Sequence, residues 1–217
     1  TQMDQQVQKD LVEKITHRYP EDRIFAEENG LRSPISEGSV WVIDPIDGTN
    51  NFVTQKEDFA VMVAYFEYGI GQFGLIYDVM RDHLFYGGGE FPVYRNEVEL
   101  TPFVDQPLEN LLIASNVGML EKNDWGMADL GMDSLGIRVY GSAGISFSKI
   151  LSGGILAYFS YIWPWDYAAA AIMGEQLGYT VLNLNGDKPN YQSVEPIMMV
   201  PKVKLTEIQT YLKKGRS

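Results

Sequence analysis

The sequence predicts an α+β first half that passes into a more α/β second half, with the join near Thr101 to Asn110. Between Phe59 and Tyr94, aromatic and β-branched runs succeed one another with only turn residues between them, which is the pattern of a meander. After Leu111 the rhythm changes and strand-like runs alternate with helical ones. A length of 217 residues suits one large domain or two intimate halves, taken here as 1–105 and 106–217, with no internal repeat and no low-complexity tract.

Taken in order, Val7, Leu11, Val12 and Ile15 mark one apolar face of a helix from about Met3 to His17, closed by Tyr19-Pro20. Ile24-Phe25-Ala26 reads as a short strand entering the polar turn Glu27-Glu28-Asn29-Gly30, and the Gly-, Ser- and Pro-bearing stretch to Ser39 as a loop. Val40 to Ile43 is a buried strand expected to stop at Asp44-Pro45, because proline lacks a ladder donor and restricts its predecessor. Phe59 to Tyr68 and Gly71 to Asp78 form a hairpin around Gly69-Ile70, which His83 to Tyr86 and Phe91 to Tyr94 extend. Strands follow at Leu111 to Ala114, Ile137 to Tyr140, Ile155 to Tyr161, Thr180 to Leu184 and Ile197 to Val200. Helices are expected at Ser142 to Leu151, Trp165 to Leu177 and around Leu205 to Leu212.

Composition removes several function classes. A formal charge of -12 argues against a nucleic-acid surface, which is usually basic. With no cysteine, thiol phosphatase chemistry, thiolate zinc sites and disulfides all fall away; this favours a reducing compartment, and a cytoplasmic location is expected. No signal peptide begins the chain and no apolar run reaches membrane-spanning length, so a membrane partner is not expected.

The most informative stretch is Trp41-Val42-Ile43-Asp44-Pro45-Ile46-Asp47-Gly48-Thr49-Asn50-Asn51-Phe52. It presents two carboxylates at a strand end, followed by the amides of Gly48 and Thr49 where a helix can begin. Hard cations take carboxylate and carbonyl oxygens, and phosphates take helix N-terminal amides. Glu27 after a strand and Asp166 at a helix start stand at element ends too. Taken singly, Asp166 reads as an N-cap and Asp44 as an Asx turn. As a set with the Ile46 carbonyl, the four acids fit a site for two or more magnesium ions. Other phosphoryl chemistries lack parts. His17 and His83 lie away from the motifs, Asp44 and Asp47 have the wrong spacing for an Asp-x-Asp aspartyl-phosphate motif, and there is no Walker loop. Gly87-Gly88-Gly89 precedes Glu90, which repels phosphate, and reads as a turn.

Trp41 to Phe52 closely resembles the first signature of the inositol monophosphatase family of magnesium-dependent, lithium-sensitive phosphatases, and Trp165-Asp166-Tyr167-Ala168-Ala169 its second. Ala26-Glu27-Glu28 resembles the family's Gly-Glu-Glu element, and Gly141-Ser142-Ala143 its substrate-side Gly-Ser/Thr-Ala turn. The order and intervals fit across nearly the whole chain. The resemblance implies a layered αβαβα sugar-phosphatase fold, a homodimer, and two or three Mg2+ ions held by Glu27, Asp44, the Ile46 carbonyl, Asp47 and Asp166. It implies that Thr49, helped by Asp4, positions the nucleophilic water, and that the amides of Gly48 and Thr49 hold the phosphate. Asp47, Gly141, Ser142, Ala143 and Ser160 would face the substrate.

Several positions depart from the family pattern. Ala26 replaces a glycine, and Ala170 stands where glycine often follows the Trp-Asp signature. Inositol-specific members carry a sugar-binding glutamate after an Ala-Tyr-Tyr-like stretch, whereas here Ala157-Tyr158-Phe159 runs into Ser160 with the spacing one residue short. Catalysis is untouched by that change, but specificity is open. The default substrate is a small phosphomonoester of the inositol 1-phosphate type. The alternatives are a nucleotide or sugar phosphate such as NADP, 3'-phosphoadenosine 5'-phosphate or fructose 1,6-bisphosphate; Tyr158, Phe159, Tyr161 and Trp163 could stack a base, but core packing is the job expected of them. A non-catalytic regulatory protein keeping the fold would predict an incomplete ligand set, and every matched ligand is present.

Overall fold

The computed structural model describes residues 1–214. Helix α1 (Gln2–Arg18) lays Leu11, Val12 and Ile15 on Ile24, Ala26 and Ile43 of the first sheet. That sheet runs β1 (Arg23–Ala26), β2 (Ser39–Asp47), β3 (Ala60–Glu67), β4 (Ile70–Asp78), β5 (His83–Gly88), β6 (Phe91–Arg95) and β7 (Val98–Glu99) in sequence order. Only the β1–β2 pair is parallel, so both strands deliver their C-terminal ends to the same edge. Helix α2 (Thr49–Thr54) starts where β2 stops.

The second sheet contains β8 (Leu112–Ser115), β9 (Gly136–Arg138), β10 (Ala157–Ile162), β11 (Tyr179–Asn183) and β12 (Glu195–Pro201), in the order β11-β12-β10-β8-β9. Between the sheets lie α5 (Ala143–Leu151) and α6 (Pro164–Gln176), preceded in the chain by α3 (Val117–Glu121) and α4 (Met127–Asp133). A helix covered on both sides must be apolar nearly all round, and Ala168, Ala169, Ala170, Ile145 and Phe147 are all buried. Contact with the first sheet is close enough that a Cβ on Gly74 would sit 2.3 Å from the Ala169 carbonyl oxygen. The alanine run on α6 is therefore matched by a glycine on β4. The outer face of the second sheet is closed by α3, α4 and α7 (Leu205–Lys214), with Met119, Met127, Leu130, Ile208 and Leu212 in its core. The layers are thus α1, sheet, α5 and α6, sheet, then α3, α4 and α7: the αβαβα order that the family resemblance implies.

Three readings need correction. Strand β2 does not stop at Asp44-Pro45 but continues to Asp47. Asp44 pairs with Met62 and Asp47 with Ala60, so four residues oppose three in a bulge. Pro45 also lies beyond the β1 partner, which ends at the Ala26–Ile43 pair, and a missing donor costs little there. The β3–β4 turn centres on Tyr68 and Gly69, at φ 49° and 80°. Two positive φ values in a two-residue loop match the twist of a hairpin, so Ile70 already belongs to β4. Helices α3 and α4 were not anticipated: at five and seven residues they are too short to display a period.

Candidate metal and phosphate site

The C-terminal ends of β1 and β2 meet the N-terminal ends of α5 and α6. Asp44 and Asp47 come from the bulged end of β2, Glu27 follows β1 directly, and Asp166 lies in the first turn of α6. Asp44, Asp47 and Asp166 each offer a carboxylate oxygen, and these oxygens all lie within 4.8 Å of one another. Glu27 interacts with the Asp44 carboxyl, so the four acids form one cluster.

Local structure explains how each acid is held. The bulge lets Asp44 Oδ1 accept the Ile46 amide at 3.1 Å, the Asx turn expected from the sequence, without removing Asp44 from the cluster. Asp166 is not the N-cap of α6; that position is Trp163, and Asp166 Oδ2 reaches back to accept the Trp163 amide at 2.7 Å. Asp47 lies against the start of α5. Its Oδ1 accepts the Ala143 amide at 3.0 Å, its Oδ2 accepts the Gly144 amide at 2.8 Å, and the Ser142 hydroxyl donates to Oδ2 as well. A helix N-terminus favours an anion there. Ser142 also caps α5, its Oγ accepting the Ile145 amide at 3.1 Å. The Gly141-Ser142-Ala143 turn thus holds an acid of the cluster while it lines the adjoining cavity.

Electrostatics show what the cluster lacks. Burial, and then the charges of Asp47, Asp166 and Glu27, push the Asp44 carboxyl well above the usual range. Burial followed by the Asp47 charge pushes Asp166 up to about 7. Burial raises Asp47 against the opposing effect of its Ser142, Gly144 and Ala143 bonds, and burial with the Glu28 charge raises Glu27. Among the described residues, none of these four acids forms an ion pair with Lys, Arg or His. Clustered acids without a basic partner are costly, and a bound cation is one way to offset that cost. An all-oxygen donor set suits a hard divalent ion.

The Gly48-Thr49 turn follows directly. Gly48 takes φ 85°, and a Cβ there would lie 2.9 Å from Ser142 Cβ. Only glycine lets the loop approach α5 this closely. Thr49 Oγ1 lies 3.1 Å from both Asp4 Oδ1 and the Ile46 carbonyl oxygen, with one proton to donate between them. Asp4 is buried on the first turn of α1, so the helix that closes the outer layer also reaches the site.

A cavity of about 420 Å³ opens beside the acids, lined by Asp47, Ser115, Asn116, Ser142, Ser160 and Tyr161 among others. The four aromatic residues near Ser160 are divided. Phe159 is fully buried on the far face of the sheet, Tyr158 packs edge-on against Phe147, and Tyr161 and Trp163 remain 44% and 39% exposed. Sequence reasoning missed Asn51, Gly144 and Gln8. The Asn51 amide donates to the Asp58 carbonyl at 2.9 Å and the Tyr140 carbonyl at 2.7 Å, tying α2 to the turn before Ser142. Gln8 brackets the backbone of Glu28 with bonds of 2.8 and 2.9 Å, which fixes the turn carrying Glu27. Apart from Asp58, their partners lie 20 or more residues away in sequence, so no local signal marked them.

Clustered carboxylates able to hold a divalent cation, beside a Gly-Thr turn and set in this αβαβα frame, are the features of a metal-dependent phosphatase. The family is shown by comparison: the inositol monophosphatase family matches residues 1–215, and the chain belongs to it. It is a phosphomonoester hydrolase of that family. It is 36% identical over 193 residues to the inositol-1-monophosphatase of Bacillus subtilis, covering 86% of this chain and 73% of that one. The structure of a staphylococcal IMPase-II bound to inositol monophosphate is similar at a TM-score of 0.90 and 29% identity, over 98% of this chain and 84% of that one. An IMPase/NADP phosphatase complexed with NADP and Ca2+ is similar at a TM-score of 0.89 and 25% identity, over 97% of this chain and 82% of the other.

Proposed function

We propose that this chain hydrolyses a small phosphomonoester of a neutral alcohol, of the inositol 1-phosphate type, with two or three Mg2+ ions as cofactor. The observation that carries this is the trio of buried Asp44 and Asp47 and half-buried Asp166, whose carboxylate oxygens lie within 4.8 Å of one another. Those three acids, Glu27 and the Ile46 carbonyl would hold the metals. The bound cations would neutralise the phosphate, lower the pKa of the attacking water and stabilise the leaving alkoxide.

The protein's own residues do the remaining work. The Ile46 carbonyl would be one of the metal ligands, which would leave Asp4 as the acceptor of the Thr49 proton and the hydroxyl lone pairs able to accept from a water. The amides of Gly48 and Thr49 cradle the phosphate, and the Asp47–Ser142 contact fixes the substrate side of the metal set. Asp47, Gly141, Ser142, Ala143 and Ser160 contact the alcohol. The sites draw on both 1–105 and 106–217, which we read as one catalytic unit.

The cavity wall favours a monophosphate. Among the described residues no lysine or arginine lines it, so a second phosphate finds no cation. Fructose 1,6-bisphosphate, 3'-phosphoadenosine 5'-phosphate and NADP are disfavoured on that ground. A simple nucleoside monophosphate is the second reading, favoured by the half-exposed Tyr161 on the cavity wall. Phosphate release from a panel of esters, with and without Mg2+, tests the assignment. At least a tenfold advantage in kcat/KM is expected for the monophosphates; a preference for a bisphosphate would overturn it. A homodimer, lithium inhibition and a cytoplasmic location complete the proposal. They rest on the family resemblance and, for the last, on the cysteine-free composition.

A further inference from the structure

We propose that Arg32 is a positioning residue that locks the Glu27-bearing turn onto the Asp166-bearing helix and so sets the affinity of the site for divalent metal. The inference rests on the reading that Glu27 and Asp166 hold the metals. These two acids come from opposite halves of the chain, one after β1 and one on α6. A shared cation needs their spacing fixed.

Arg32 joins the two segments that carry them. Its backbone forms an antiparallel bridge with Phe25, supported by the Ala26 amide bonding to the Leu31 carbonyl at 3.0 Å. The guanidinium then folds back over the turn. One nitrogen donates to the Ala26 carbonyl and, at 3.0 Å, to the Leu31 carbonyl; the other donates to the Glu27 carbonyl at 3.2 Å. Its central carbon lies 4.5 Å from the centroid of the Trp165 ring, the residue next to Asp166. Trp165 is buried, stacks on Trp163 at 4.8 Å and meets Phe25 edge-on at 5.6 Å. Trp163 in turn supplies the amide that holds Asp166. A continuous run of contacts therefore leads from the Glu27 backbone through Arg32, Trp165 and Trp163 to the Asp166 carboxylate.

Only arginine suits the position. A planar guanidinium can bond to carbonyls at its edge while its face lies on a ring, whereas lysine offers a point charge without that fork. The positive charge also stays at the periphery, because Arg32 forms no ion pair with the clustered acids.

The test compares the wild type with Arg32→Ala, Arg32→Lys and Trp165→Phe. Mg2+ binding is measured by calorimetry and by tryptophan-sensitised Tb3+ luminescence, beside kcat at saturating Mg2+ and Tm in chelator. Arg32→Ala should weaken Mg2+ binding about tenfold, as removal of a residue supporting metal ligands typically does, with kcat at saturating metal held within about twofold. Arg32→Lys should recover less than half of the loss on a logarithmic scale. Trp165→Phe keeps an aromatic face with a weaker pull on the cation, and should move affinity the same way by less. A fall in Tm with Mg2+ affinity unchanged in all three variants would reduce Arg32 to a structural contact and overturn the inference. A wild-type chain that binds Mg2+ yet releases no phosphate would sink the substrate reading while leaving the role of Arg32 standing.

Discussion

Replacing Asp44 by asparagine should make the metal-free protein more stable and the enzyme inactive. The side chain is buried, and its Oδ1 acceptor for the Ile46 amide survives in asparagine. What disappears is one charge from a group whose oxygens lie within 4.8 Å of one another. A fully ionised pair at that separation repels by roughly 3–4 kcal/mol at an effective dielectric of about 20. Protonation already relieves part of this, since Asp44 sits well above its usual range and Asp166 is raised to about 7. A net gain of about 1–2 kcal/mol is expected, equivalent to some 2–8 °C in Tm for a chain of this size.

Metal linkage should move in the opposite direction. At a Mg2+ concentration about 100-fold over its dissociation constant, the wild type gains about 2.7 kcal/mol on binding. If asparagine weakens binding about 100-fold, the gain shrinks to about 0.4 kcal/mol by the same relation. Thermal melts in chelator and in Mg2+, run beside phosphate release, measure all three quantities. A variant that melts lower than wild type in chelator, or that keeps its full Mg2+ shift and turnover, refutes the account of the cluster as an unpaired anionic site.

Three further outcomes follow from the same geometry. The raised Asp166 carboxyl makes the folded, metal-free state bind more protons than the unfolded state between its ordinary value of 3.8 and about 7. Stability in chelator should therefore fall as pH rises through that window, opposite to the usual acid-denaturation sign, and Mg2+ should restore it; pH-dependent melts that rise across the window count against it. Thr49→Val keeps the shape but loses the hydroxyl bonded to Asp4 and the Ile46 carbonyl. It should lower kcat about 100-fold with little change in KM, while Thr49→Ser retains most of the activity in steady-state assays. Asn51→Asp removes both donors to the Asp58 and Tyr140 carbonyls. A loss of about 1–3 kcal/mol in denaturant unfolding is expected, with KM rising more than kcat falls because the substrate-side turn is released.

Much of this protein could be read along the chain. The helical face of Val7, Leu11, Val12 and Ile15, the meander from Phe59 to Tyr94, and the acids at strand and helix ends are all local patterns, and local physics is written in consecutive residues. The bulge at Asp44–Asp47 was not legible, because the proline argument concerns a regular ladder and whether a bulge absorbs the proline depends on the partner strand. The reading of Asp166, taken singly, as an N-cap failed in a similar way. The sequence marks an acid near a helix start, but only the folded first turn distinguishes a cap from an N3 residue reaching back to the Trp163 amide.

The sequence by itself therefore determined the donor types: oxygen ligands and no sulfur, a glycine where the turn needs positive φ, and small residues where a helix must pass close to a sheet. Tertiary structure decided which donors meet. Asp47 is clamped by Ser142, Ala143 and Gly144 from nearly a hundred residues away, Thr49 meets Asp4 from 45 residues away, and Arg32 lies over Trp165. Chemistry resides in residue type and can be read one residue at a time. Proximity between distant segments arises when two sheets and three helical layers pack together to bury their apolar faces, so no window of the sequence contains it.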